Sequence, residues 1–207
     1  MIGQIATYIV LLLAALATVF YFLSGKKDTF TKPAEYSYFG LLAGLVFISA
    51  YLMANILTYN FSFAYIWEYS SKELPFYLLI TSFYSGQEGS FLLWALFLAL
   101  FGIVVQPYAK KHGYQSLVMG FYSFILVFIV LLLISKSPFK YVWDAFADQG
   151  IAPGHVPENG RGLNPILQNY WNAIHPPMLF IGYAAMTVPF VFALAGLIKK
   201  EFHEWIN

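Results

Sequence analysis

Apolar residues fall into five blocks separated by short charged turns and two long aromatic-rich loops. The blocks run from Ile5 to Leu23, Ser37 to Tyr59, Phe91 to Val105, Leu117 to Ile134 and Met178 to Ile198. A helix crossing a bilayer needs about 20 mostly apolar residues. The pattern therefore predicts an all-α polytopic membrane protein of about five transmembrane helices, residues 1–207 forming a single membrane domain. The third block is short and has room to begin earlier, near Leu78. The chain opens Met-Ile-Gly-Gln, without the basic start and small-residue cleavage site of a signal peptide, so the first block reads as the first membrane helix.

The second long loop contains a different periodicity. Leu163, Ile166, Leu167, Tyr170, Trp171 and Ile174 recur at one-face helical spacing, with Asn164, Gln168, Asn169 and Asn172 opposite them. Asn164 followed by Pro165 is a favourable N-cap and first-turn pair. This predicts a short amphipathic helix lying in the membrane interface, with Tyr170 and Trp171 at headgroup depth. Pro176 and Pro177 predict its end at His175, because the residue before a proline is pushed out of the helical region. His175 is thus expected at a joint between an interfacial and a membrane helix.

Composition sharpens the class. Hydrophobic residues make up 60% and charged residues 10% of the chain, against roughly 25% charged in an average soluble domain. Lys26, Lys27, Lys32, Lys110, Lys111, Lys199 and Lys200 hold most of the 11 basic residues and fall in the short loops and tail. By the positive-inside bias these face the cytoplasm, leaving the N-terminus and both long loops outside. The net charge of +1 comes with no basic stripe, which gives no support to nucleic-acid binding. The absence of cysteine excludes disulfides and thiol chemistry within the chain.

The polar candidates are few. His175 has an imidazole that, when neutral, can ligate iron, or it caps the fifth membrane helix. Arg161 would suit a carboxylate, or it is an ordinary loop arginine meeting lipid phosphate. His155 reads as an exposed loop residue, and His112 and His203 as solvated groups beside lysines. No histidine falls within a predicted transmembrane block. Glu88, at the start of the third block, is either a functional intramembrane acid or a helix-end carboxylate. Trp67, Trp94, Trp143 and Trp171 would form an outer aromatic shelf or an ordinary interface belt. No hydrolase, kinase or dehydrogenase signature is present.

Three motifs in order carry a resemblance. Gly86-Gln87-Glu88-Gly89-Ser90 with Leu92-Leu93-Trp94, then Ser137-Pro138-Phe139, then Gly160-Arg161-Gly162-Leu163-Asn164-Pro165 through Ile174-His175-Pro176-Pro177 to Gly182-Tyr183 and Val188-Pro189-Phe190 are similar to CcmF-type cytochrome c maturation proteins. The asparagine of the family's N-P-F element is replaced by Ser137. The resemblance implies a haem lyase membrane subunit in a bacterial or mitochondrial inner membrane. His175 would be an outward-facing axial ligand to haem iron, for b-type haem in transit, with Arg161 at a propionate and Trp171 and Tyr170 positioning the macrocycle. It implies apocytochrome c, a haem chaperone and other maturation subunits as partners, besides membrane lipid. Family members are much longer, and carry a W-W-D segment, a second outer histidine and a transmembrane histidine pair, none of which precedes Asn207. The expectation is a split or partial protein that is not a lyase alone. A membrane transporter subunit and a structural assembly subunit are the alternatives.

Overall fold

Each apolar block is a helix in the computed structural model, which describes residues 1–201. The chain runs α1 (Ile2–Ser24), α2 (Thr31–Leu57), α3 (Ala64–Tyr69), α4 (Phe76–Ser85), α5 (Gln87–Lys111), α6 (Gln115–Ser135), α7 (Val142–Ala145) and α8 (Tyr170–Lys199). Five of these, α1, α2, α5, α6 and α8, are long and apolar enough to cross a membrane. The all-helical, five-span expectation holds.

Two boundaries differ from the sequence reading. The third span is longer at both ends than Phe91 to Val105. It continues through Pro107 to Lys111, because losing one intrahelical N–H costs less than ending an apolar helix inside a membrane. The residues from Gln106 to Gln115, expected as a turn, shrink to a three-residue link in which Gly113 takes a positive φ of 74°. Upstream, the helix does not continue back to Leu78. It breaks at Gly86, whose extended backbone (φ −104°, ψ 169°) separates α4 from α5.

α1 packs on α2 and α6, and α5 packs on α6, α2 and α8. Without a hydrophobic driving force between helices in lipid, small residues and interhelical hydrogen bonds hold such bundles together. The buried Tyr38 hydroxyl on α2 donates to the Ala99 carbonyl on α5 at 2.9 Å, and Tyr122 on α6 donates to Leu98 at 2.8 Å. Gly102 makes the first contact possible, since a Cβ there would overlap the Tyr38 hydroxyl. α8 is the least enclosed span. Only 17% of its most apolar window is buried, against 50% for α6, so it packs along one side.

The two long loops lock together over one end of the bundle. Ala64 N–H donates to the Lys140 carbonyl and Val142 N–H to the Ser62 carbonyl, both at 2.9 Å. Arg161 N–H donates to the Trp67 carbonyl at 2.7 Å, and Gly162 N–H to Ser70 at 3.1 Å. The N-terminal amine reaches the Tyr141 hydroxyl at 3.3 Å. Phe139 of the Ser-Pro-Phe element is fully buried between Tyr51 and Phe63, at ring distances of 5.7 and 5.9 Å. At the opposite end, Lys110 pairs with Glu35 at 2.9 Å and Lys199 donates to the Gly113 carbonyl at 2.9 Å. The lysine-rich loops and the loop-rich cap therefore occupy opposite ends.

Candidate functional site

Asn164 does cap a turn: its Oδ1 accepts from Ile166 N–H at 3.0 Å. The turn is only a single 3₁₀ element, Pro165–Leu167. The separate interfacial helix expected from Leu163 to Ile174 does not form. Asn169, extended at φ −145°, starts a new helix by accepting from Asn172 N–H at 3.0 Å. An asparagine competes well for the N-cap role, so the periodic run is divided between the 3₁₀ turn and the first turns of α8.

α8 then passes through His175, Pro176 and Pro177 without interruption. The expected joint at His175 is absent, and His175 is the sixth residue of a membrane-length helix rather than lying outside it. Thirty residues at 1.5 Å give about 45 Å, some 15 Å more than the hydrocarbon core. Five residues before His175 cover about 8 Å, which keeps its imidazole at the interface when the surplus is shared between the ends.

The proline pair requires compensation. Pro176 and Pro177 have no N–H, so the carbonyls of Asn172 and Ala173, four residues earlier, lose their intrahelical donors. The Tyr84 hydroxyl supplies one of them, donating to the Ala173 carbonyl at 2.8 Å. Tyr84 lies near the end of α4, and its own carbonyl accepts from Ser90 Oγ at 2.9 Å. The Gly-Gln-Glu-Gly-Ser motif is thereby linked, through Tyr84, to the backbone two residues before His175. Sequence reasoning did not find Tyr84. A tyrosine just before the glycine motif, with a proline pair that leaves carbonyls to be satisfied elsewhere, was its only signal.

The motif's glycines are packing residues. A Cβ on Gly86 would enter the rings of Tyr65 and Tyr69, and one on Gly89 would overlap the Phe83 carbonyl and the Tyr65 hydroxyl. Tyr65 is buried, and its hydroxyl lies 2.9 and 3.0 Å from the Ser82 and Phe83 carbonyls while accepting from Gly86 N–H at 3.2 Å. Glu88 is half-buried in the first turn of α5, where the helix dipole favours a carboxylate.

Replacing the Tyr84 hydroxyl tests the link. Tyr84→Phe is expected to destabilise the start of α8 by about 1–3 kcal/mol, the usual cost of orphaning a partly buried carbonyl. Hydrogen exchange of residues 170–180 and thermal melting in detergent would report it. In a Pro177→Ala background, which restores an N–H for Ala173, the same change should cost much less; equal costs in both backgrounds would refute the link.

His175 is exposed, and neither ring nitrogen has a hydrogen-bond partner among the described residues. At helical spacing around it stand Trp171, Met178 and Leu179, all exposed, and Gly182, where a Cβ would meet nothing within 4 Å. The result is a bare imidazole on an open apolar face, a fair fit for one axial nitrogen ligand and one side of a flat apolar macrocycle. Tyr170 and Trp171 are exposed and meet edge-on at 5.6 Å.

Arg161 is anchored in the loop cap. Its guanidinium sits 4.0 Å over the Trp67 ring and 5.1 Å from Phe146, and donates to Gln149 Oε1 at 2.5 Å. Cation–π and hydrogen-bond partners within the loop cap hold it there. The tryptophans do not form one shelf. Trp67 meets Phe146, Trp94 meets Tyr183 and Phe180, Trp143 stacks on Tyr141, and Trp171 meets Tyr170. His155 is exposed, as expected; His112 caps α5, its Nδ1 2.9 Å from the Tyr108 carbonyl. His203 lies outside the described residues. Among the described residues no group of three or more His, Cys, Asp or Glu side chains is placed to hold a metal ion.

Near Arg161, burial and the neighbouring Glu88 push the Glu68 carboxyl above the usual carboxylate range, while Arg161 opposes them. Burial, with Glu68 and Glu88, raises the Tyr69 hydroxyl to about 12. A carboxyl raised on folding contributes stability below its unfolded pKa and loses it as pH rises through the folded value. Glu68→Gln is therefore expected to raise the melting temperature at about pH 8 and to change little near pH 4, below the unfolded value of about 4.3. A stabilisation that is the same at both pH values would contradict this.

Comparison with known proteins supplies the family. The model of the family described as cytochrome C assembly protein matches residues 84–207. The cytochrome c-type biogenesis protein CcmF of Pseudomonas fluorescens is 33% identical over 172 residues, covering 81% of this chain and 24% of that protein. CcmF of Escherichia coli is 30% identical over 77% of this chain and 24% of its own length. NrfE of Haemophilus influenzae is 29% identical over 94% and 30%. A solved structure of cytochrome c haem lyase CcmF superposes with a TM-score of 0.76 over 99% of this chain and 31% of that one, at 21% identity, which shows a shared fold. The chain thus spans about a quarter of the length of the curated relatives it matches. The family match extends over the glycine motif, the second long loop and α8, more than half of the sequence, and on that basis the chain belongs to the cytochrome c assembly protein family.

Proposed function

We propose that this chain is the part of a cytochrome c maturation haem lyase that offers His175 as an axial ligand at the outer membrane face. The observation that carries the reading is the bare, exposed imidazole of His175 on an apolar face of α8, at interface depth. Tyr84 supports it by satisfying the helix backbone beside the proline pair. Trp171 and Tyr170 flank the ligand, and Arg161 helps to build the loop cap. Haem is the cargo: it arrives from a chaperone and leaves on apocytochrome c, whose thiols add to the vinyl groups. The second axial ligand comes from a W-W-D-bearing chain or segment, since the single exposed imidazole on α8 offers iron one nitrogen. The loop-rich end faces outward and the lysine-rich end the cytoplasm.

Co-expression tests the reading. The chain purified in mild detergent together with a W-W-D-bearing partner is expected to show a Soret band that neither chain shows at the same strength alone. No band in the pair, with both proteins folded and associated, would overturn the proposal and favour a structural assembly subunit.

A further inference from the structure

A second site lies at the other end of α8. Between α5 and α8 runs a cavity of about 590 Å³, within the 300–1,000 Å³ range of ligand pockets. Its walls are apolar and aromatic, including Phe101, Tyr108, Pro189 and Phe192. Pro189, inside the continuous helix α8, lines the groove and contributes an apolar ring with no N–H. Along α5 the groove extends from Phe101 to His112. At 1.5 Å per residue that is about 16 Å, close to half of the roughly 30 Å hydrocarbon core and so the depth of one leaflet.

The mouth has the opposite character. His112 closes it with one ring nitrogen beside the Tyr108 carbonyl at 2.9 Å. Lys199 lies 4.4 Å over the Tyr114 ring, also part of the lining, and donates to the Gly113 carbonyl at 2.9 Å. Exposed Lys111 adjoins His112 in sequence, and Lys200 follows Lys199. Two carboxylates oppose these cations: Glu35, paired with Lys110, and Glu201, which accepts from Tyr114 and lies 3.9 Å from Lys199. Four lysines against two carboxylates leave the rim positive among the described residues. A leaflet-deep apolar groove with a cationic mouth matches a phospholipid in both halves, since basic pockets between membrane helices on the cytoplasmic side bind anionic headgroups.

We infer that this groove holds one anionic phospholipid of the cytoplasmic leaflet, an acyl chain along Phe101 to Tyr108 and the phosphodiester at His112 and Lys199. The site is independent of His175 and of the haem reading. It ties the inner ends of α5 and α8 together, along the groove that the two helices line.

Native mass spectrometry of the chain in mild detergent tests it, with phosphatidylglycerol and phosphatidylcholine of the same acyl composition as probes. The expected result is a single retained phosphatidylglycerol, favoured at least about tenfold over phosphatidylcholine. Reversing the exposed charges with Lys111→Glu and Lys199→Glu should abolish the preference while leaving the helix content intact. Filling the groove with Ala185→Phe should remove both lipids. Equal retention of the two lipids by the unmodified chain, or a preference that survives charge reversal, would overturn the inference. So would a lipid-free dimer in which a second copy fills the groove.

Discussion

His175→Ala is expected to eliminate the haem-dependent Soret band of the chain and its W-W-D-bearing partner, or to weaken haem binding by more than about 100-fold. Loss of an outer-shell partner alone typically costs about 10–100-fold in metal affinity, and removing the ligand itself should exceed that. The imidazole has no other structural commitment among the described residues, being exposed and free of hydrogen-bond partners. Its removal should therefore leave the melting temperature within about 0.5 kcal/mol equivalents of the parent, as for most surface changes. Added imidazole should restore part of the band, because the cavity left on α8 faces open space beside Gly182. A mutant that binds haem as tightly as the parent would remove His175 from the site and leave the structural-subunit reading in place.

Gly89→Ala should have the opposite profile, a large loss of stability from a single added methyl group. The new Cβ would overlap a backbone carbonyl, that of Phe83, as well as the buried Tyr65 hydroxyl. A flexible side chain can move away at small cost; the end of α4, held by Tyr65 at the Ser82 and Phe83 carbonyls, cannot. Overpacking in cores costs about 1–3 kcal/mol and more where the backbone must shift, so a loss of about 3 kcal/mol or greater is expected. Gly182→Ala is the control: its Cβ meets nothing, and replacing a mid-helix glycine should be neutral or stabilising by up to about 1 kcal/mol. Thermal melting of both variants in one detergent would separate the cases. A mild effect at Gly89 would mean that α4 and α5 are not locked through this motif.

The glycine motif also marks where sequence reading stopped. The motif itself was legible, and the structure makes Gly86 and Gly89 positions of close packing. The object approached, the Tyr65 hydroxyl about twenty residues earlier, was not legible, because nothing local to either segment records their pairing. Tyr84 was missed for the same reason: its partner is the Ala173 carbonyl, 89 residues away. Arg161 was read as a candidate for an anion because the sequence shows a lone guanidinium in a loop. Only the folded cap shows that Trp67 and Phe146 already occupy it.

The sequence by itself determined the class and the five spans, since unbroken apolar runs in a bilayer leave the backbone no alternative to helix. It also singled out His175 as the histidine that directly precedes the proline pair and the last apolar block. Tertiary structure decided how that histidine is held. Periodicity and prolines indicated a short helix ending at His175. The competing Asn169 cap and a hydroxyl from α4 instead carry one helix through the proline pair. Local rules set the cost of each residue in a helix; whether that cost is met depends on a donor that another part of the chain brings into place.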